Sequence, residues 1–175
     1  MARTVCWFSA GAPSAVATML TLAEGPATVA MCDTGSEHKD SARFRKACES
    51  WFGQPVEMLK SESYNDTWDL WEKRRYLSGV NGALCTSELK VIPRLMFERE
   101  DDTHVFGYTA DKADVVRSQR LIENWPRYRF RFPLIEKGLT KANCLAMVSS
   151  AGISPPDAVR IGQSHSVHFG GADPD

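Results

Sequence analysis

The sequence predicts an α/β fold, a doubly wound, mainly parallel sheet of about five strands with helices on both faces. Three observations predict it. Short apolar runs alternate with helical patterns over residues 4 to 59, which is the βαβαβ order of half such a sheet. The first run, Val5 to Phe8, passes into the small residues Ser9 to Ser14, with a helical pattern immediately behind them. The second run ends in Asp33-Thr34-Gly35-Ser36-Glu37, a polar turn at a strand end.

Taken in order, the elements begin with strand Thr4–Phe8, helix Ser14–Ala23, strand Ala27–Cys32, helix Asp40–Phe52 and strand Val56–Leu59. Gly25-Pro26 and Gly53-Gln54-Pro55 end the two helices and make short connections to the next strands. From Ser61 to Gly82 the pattern changes. Trp68 and Trp71 at helical spacing, followed by Glu72 to Arg75, predict a short helix and then a loop. Helix Glu88–Phe97, strand His104–Tyr108, helix Ala110–Asn124, strand Arg129–Phe132 and helix Thr140–Ala151 complete the order, the last closed by Gly152. Periodicity is lost after Pro155-Pro156, so one domain is expected over residues 1–162 and a flexible tail over 163–175.

The 175 residues, 43% hydrophobic and 25% charged, suffice for one well-buried domain. A formal net charge of −1 implies no general attraction to nucleic acid or to an anionic membrane. No apolar stretch approaches the roughly 18 residues of a membrane span, and the first residues lack the pattern of a signal peptide. Cys6, Cys32, Cys48, Cys85 and Cys144 are odd in number and widely spaced, so they are expected to be reduced, mostly buried and in a cytoplasmic protein.

The chemistry starts with Ser9-Ala10-Gly11-Ala12-Pro13-Ser14. Small residues let a backbone approach a ligand closely, and the amides and dipole at a helix start favour an anion, so the loop suits a phosphate. The alternative is a tight turn with a capping serine. Pro13 is tolerated there, because a first-turn residue needs no N–H. Asp33 and Glu37 either hold a ribose hydroxyl or Mg2+ in the crevice, or form an Asx-turn and a solvated charge. Trp68 and Trp71 either pack into the core or stack on a base or a partner. His165 and His168 have a spacing that zinc tolerates, but they stand in a segment with no predicted element, and no metal site is assigned there.

Together these segments resemble the adenine-nucleotide α-hydrolase (PP-loop) superfamily, and within it the phosphoadenylylsulfate (PAPS) reductase branch. Four motifs stand in that branch's order over residues 4 to 162. They are Ser9 to Ser14, Asp33-Thr34-Gly35, Cys85-Thr86-Ser87-Glu88-Leu89-Lys90-Val91-Ile92-Pro93 and Pro133-Leu134-Ile135-Glu136-Lys137. Ala10 replaces a glycine of the family's loop, Pro13 stands at its usual acidic position, and Thr109 replaces the arginine of its Gly-x-Arg. Arg117 on the next helix either substitutes for that arginine or forms a surface salt bridge.

The resemblance implies a Rossmann-like sheet that binds an adenine nucleotide, ATP or PAPS-like, with Mg2+ as an accompanying ion. It assigns phosphate contacts to Ser9, Ala10, Gly11 and Ser14, and the nucleotide's remainder to Met31, Cys32, Asp33, Thr34, Gly35 and Gly107. Cys85 is its candidate thiol, against the reading of a small buried hydrophobe at a helix start. Lys90 is its candidate anion contact, against a solvated first-turn lysine. Some relatives pair a cysteine with this position to hold an iron–sulfur cluster. Leu84 stands there in this chain, and no cysteine follows Cys144, so no iron–sulfur cluster is expected. Three functions follow from the resemblance. One is an enzyme acting at a nucleotide phosphate or sulfo group, including ATP α–β cleavage with adenylation. The second is a sulfonucleotide reductase using Cys85 or a partner's thiol, and the third is a non-catalytic nucleotide-binding module. Partners implied are a small nucleotide and a thiol donor or acceptor substrate.

Overall fold

The computed structural model describes residues 2–37, 39–75 and 84–155. The tail over 163–175, with His165 and His168, lies outside the described residues, as does Gly79 to Gly82. Five strands form the sheet: β1 (Thr4–Trp7), β2 (Thr28–Asp33), β3 (Glu57–Lys60), β4 (Thr103–Phe106) and β5 (Arg129–Arg131). Their order is β3-β2-β1-β4-β5. β1 runs parallel to β2, with Cys6 opposite Val29, and to β4, with Cys6 opposite Val105; β5 runs parallel to β4, with Phe130 opposite His104. The α/β expectation therefore holds. By contact the chain divides into two compact bodies, whose described residues are 2–31, 39–57 and 99–155 in the first and 32–37, 58–75 and 84–98 in the second.

In the first body, helices α1 (Ala12–Glu24) and α2 (Lys39–Phe52) follow β1 and β2. Side chains alternate across a strand, and two sheet faces separate cleanly here. On one face Phe8 stacks on Phe44 of α2 at 6.3 Å and meets Phe52 edge-on at 5.6 Å. Arg131 of β5 reaches the same side, pairing with Glu24 of α1 and with Glu136, each at 2.8 Å.

The opposite face is aromatic. Trp7 donates its indole N–H to His104 Nδ1 at 3.1 Å, which places the imidazole proton of a neutral ring on Nε2. Phe106, Tyr108, Phe130 and Phe132 continue the slab, with Tyr108 stacked on Phe132 at 5.6 Å. Arg117, on the helix Lys112–Asn124, lies 5.4 Å over the Tyr108 ring and brings that helix to this face.

At the N-terminal end of β4, Asp102 is fully buried and its carboxylate takes both Arg3 donors, at 3.0 and 2.6 Å, and the Arg99 amide at 2.8 Å. The short helix Pro133–Glu136 was not foreseen from its motif; Pro133 fixes its first φ, and the Glu136 amide bonds Phe132 O. The helix Lys141–Ser150 starts where Thr140 predicts, with a reciprocal capping box between Thr140 and Asn143. After it, Arg43 of α2 bonds the Ser154 carbonyl at 3.1 Å.

The second body holds α3 (Thr67–Arg74) and a helical run of three parts, α4 (Leu84–Thr86), a π-helical turn (Ser87–Val91) and α5 (Ile92–Phe97). In chain order the later helices are then α6 (Lys112–Asn124), α7 (Pro133–Glu136) and α8 (Lys141–Ser150). Leu70 and Leu89 are fully buried. Trp68 does not join the core expected for it. It stays 72% exposed, with its ring edge-to-face on Trp71 at 5.2 Å.

Candidate functional site

Strand order reverses between β1 and β4, and the crevice outside the carboxyl ends of strands at such a switch point is where open α/β sheets take ligands. The first body places Ser9 to Ser14 after β1 and Gly107 after β4, at that crevice. The loop is self-bonded. Ser14 Oγ accepts from the Ser9 amide and the Ser9 hydroxyl, each at 3.1 Å, and donates to Gly11 O at 2.9 Å. A hydroxyl has one proton and two lone pairs, so these contacts use the full capacity of Ser14. Ser14 therefore fixes the turn, and the donors left for an anion are main-chain amides.

Gly11 is extended at φ −117° and ψ 153° and precedes α1 without a side-chain cap. The first helical rung runs from the Ala15 amide to Gly11 O at 3.0 Å. A helix start without a capping side chain keeps its early N–H groups available to an anion. Ala10 adopts φ +53°, the left-handed region that favours glycine. Pro13 lies in the first turn, as its chemistry predicts.

Gly107 has a different task from ligand contact alone. A Cβ on it would lie 2.5 Å from both N and Cα of Ser14 and 2.8 Å from the carbonyl carbon of Pro13. Only glycine lets the end of β4 reach the first turn of α1. Thr109 is buried. Its amide donates to Asp114 at 3.0 Å, and its hydroxyl lies 2.9 Å from Asp111 and 2.8 Å from Asp114. Asp111 also accepts the Lys141 amide at 3.0 Å, and that bond chiefly holds its carboxyl below the usual range. Arg117 pairs with Asp114 at 3.1 Å. Met31 is buried near the end of β2.

In the second body Asp33 builds the turn after β2. Its Oδ1 accepts the Gly35 amide at 2.9 Å, an Asx-turn, and its Oδ2 pairs with Lys60 at 3.1 Å. Gly35 sits at φ +65° against Asn65 and Asp66, where a Cβ would come within 2.7 Å of Asp66 Cβ. Ser36 Oγ accepts the Thr67 amide at 3.2 Å, and Asp66 caps α3 by accepting from the Asp69 amide at 2.8 Å. Thr34 is buried within this turn.

Cys85 and Lys90 lie on the helical run and are half-buried. Cys32 Sγ is 3.4 Å from Lys90 O, and Glu88 pairs with Arg74 at 2.7 Å. Burial pushes the Cys32 thiol up to about 11, against the opposing pull of Arg94 and Lys90. Burial also pushes Cys6 and Cys144 up to about 11 and Cys48 to about 12. Among the described residues no three His, Cys, Asp or Glu side chains are grouped to hold a metal ion.

Sequence reasoning gave Pro93, Ser36, Asp66 and Asp114 no task of their own. Pro93 left a signal, a proline inside a predicted helix; Asp114 left none, because its role depends on where β4 ends.

No family model matches the chain, and no curated protein matches it. Among solved structures it is similar to the PAPS reductase of Candida auris, determined as a phosphate complex. The TM-score is 0.70 at 14% identity, covering 94% of this chain and 80% of that one. A likeness at that identity establishes architecture, and the chain has a PAPS-reductase-like fold, the one its four ordered motifs resemble.

Proposed function

We propose that this protein binds an adenine nucleotide and acts at its phosphate or sulfo group, with the anion held by main-chain amides of the Ser9 to Ser14 loop. The observation that carries this reading is the helix start of α1, which has no side-chain cap, stands at the switch point, and is approached by Gly107 at backbone distance. A similar fold has been determined with phosphate, in a protein whose substrate is a sulfonucleotide. Adenine contact along Met31 and Cys32, and anion contact by Lys90, belong to the same reading. Asp33, Thr34 and Gly35 then serve as a preformed turn whose backbone meets the ligand.

A thiol-dependent sulfonucleotide reduction is the second reading, favoured by one observation. Burial pushes the thiols of Cys6, Cys32, Cys48 and Cys144 up, which makes none of the four an activated nucleophile, and this reading assigns the attack to Cys85 or a partner's thiol. ATP cleavage with Mg2+ is the competing chemistry, and a thiol donor or an acceptor substrate is the corresponding partner. Among the described residues no helix is long and apolar enough to cross a membrane.

The test is a thermal-shift panel of ATP, AMP, adenylylsulfate and PAPS. At a hundredfold excess over Kd a ligand adds about 2.7 kcal/mol to stability, a rise of roughly 5–10 °C for a chain of this size. A rise with PAPS and adenylylsulfate but not ATP selects the reductase reading; no rise with any of the four removes the nucleotide.

A further inference from the structure

The helical run from Leu84 to Phe97 opens in the middle, and Pro93 supplies the reason. A proline inside a helix cannot donate to the carbonyl four residues back, here Leu89, and its ring crowds that carbonyl. The turn ahead of it widens, so that the Ile92 amide bonds Ser87 O, five residues back, while Val91 and Ile92 keep right-handed helical dihedrals. A single π-turn is a costly irregularity that recurs at functional sites. This one contains Lys90.

The wide turn is held on two sides. Leu89 is fully buried, and the Arg94 guanidinium is buried with its Nε 3.4 Å from Glu98. From the other side comes Cys32, whose thiol donates to the carbonyl of Lys90 itself, with sulfur and oxygen 3.4 Å apart. Cys32 immediately precedes Asp33, whose carboxylate makes the turn after β2. A thiol is a weak donor with soft geometry. Burial keeps that thiol protonated, and hence a donor, through the neutral range.

We infer that Cys32 is a positioning residue for Lys90: by bonding the Lys90 carbonyl it fixes the π-turn, and with it the direction in which the Lys90 side chain leaves the helical run. The inference rests on the proposed reading of Lys90 as an anion contact. It gives Cys32 a task besides lying near the base, and the half-buried thiol is the part that matters.

The experiment compares Cys32→Val, which keeps the apolar volume and loses the donor, with Cys32→Ser, which keeps the donor. Titration of PAPS, ATP and uncharged adenosine into each should show Cys32→Val weakening PAPS and ATP by about fivefold, the scale of one modest hydrogen bond. Adenosine affinity should fall by less than that of the charged ligands, Cys32→Ser should stay closer to the parent, and Cys32→Val should add nothing in a Lys90→Ala background. Equal losses for adenosine and the charged ligands, or additive losses with Lys90→Ala, would overturn the inference. Hydrogen exchange over residues 87–94 judges it separately from nucleotide binding. Faster exchange there in Cys32→Val than in Cys32→Ser supports the clasp, and identical exchange overturns it. A parent protein that binds none of the three ligands contradicts the proposed function instead.

Discussion

Gly107 lies so close to Ser14 that a Cβ on it would stand 2.5 Å from the Ser14 nitrogen. The end of β4 thereby sets where the first turn of α1 sits. Gly107→Ala forces backbone apart from backbone, with no flexible side chain to yield, and overpacking of this kind costs about 1–3 kcal/mol. The expected result is a lower urea midpoint together with loss of nucleotide-induced stabilisation. Parent-like stability would mean that the contact relaxes freely.

Ala10 at φ +53° predicts a gain on substitution. A left-handed conformation costs a non-glycine residue about 1–2 kcal/mol, and glycine gives back about 0.4–1 kcal/mol through its freer unfolded chain. Ala10→Gly should therefore stabilise the protein by up to about 1 kcal/mol, a rise of a few degrees in Tm. Ala10→Val, β-branched at the same φ, should lower Tm.

The buried Asp102 supplies a pH dependence. Burial alone would raise its carboxyl, but the Arg3 hydrogen bonds and the Arg99 amide outweigh that and hold it below the usual carboxylate range. Its stabilisation is then fully present above the unfolded value of about 3.9 and is lost as pH falls through the lower folded value. Asp102→Asn should cost about 1.5–3 kcal/mol at pH 7, because it removes the charge that accepts two Arg3 hydrogen bonds and the Arg99 amide. The difference from the parent in urea midpoint should shrink below about pH 4; a difference independent of pH would remove the ion pair from the account.

The central part of the sheet and the loop after β1 were legible in the sequence because they depend on local rules. Apolar period, Gly-Pro breaks and a proline in a first helical turn announced β1, α1 and β2 to within a few residues. The hydrogen bonds of the proposed site residues were not legible in the sequence. For Ser14 and Asp33 the sequence left a ligand contact and a local turn both open; in the fold Ser14 bonds Ser9 and Gly11, and Asp33 bonds the Gly35 amide and Lys60. A side chain three or five residues from its partner in sequence competes with a ligand for the same hydroxyl or carboxylate, and only distances decide that competition. Gly107 and Thr109 were illegible in another way, since their partners Ser14 and Asp114 are set by strand order and by the length of β4. Trp68 shows the limit of periodicity, which places an aromatic on a helix face without saying what covers it.

The Trp7 to His104 bond joins β1 to β4 on the aromatic face at 3.1 Å. Trp7→Phe removes the donor to a buried imidazole nitrogen, and a buried acceptor deprived of its donor costs about 1–3 kcal/mol. Replacing both partners, Trp7→Phe with His104→Phe, should cost less than the sum of the single changes, which denaturation of the three variants measures.

The measurement closest to the central claim is a calorimetric titration of PAPS and ATP into the parent and into Gly11→Val. A Cβ at Gly11 would meet only Ser9 Oγ at 3.7 Å and Pro13 Cδ at 3.9 Å, ordinary contacts at an extended φ of −117°. The variant should therefore fold while its side chain occupies the approach to the amides at the start of α1. The parent is expected to bind at least one of the two nucleotides, and Gly11→Val to bind it at least a hundredfold more weakly, about 2.8 kcal/mol, with an unchanged urea midpoint. A folded Gly11→Val protein that binds as tightly as the parent would contradict it.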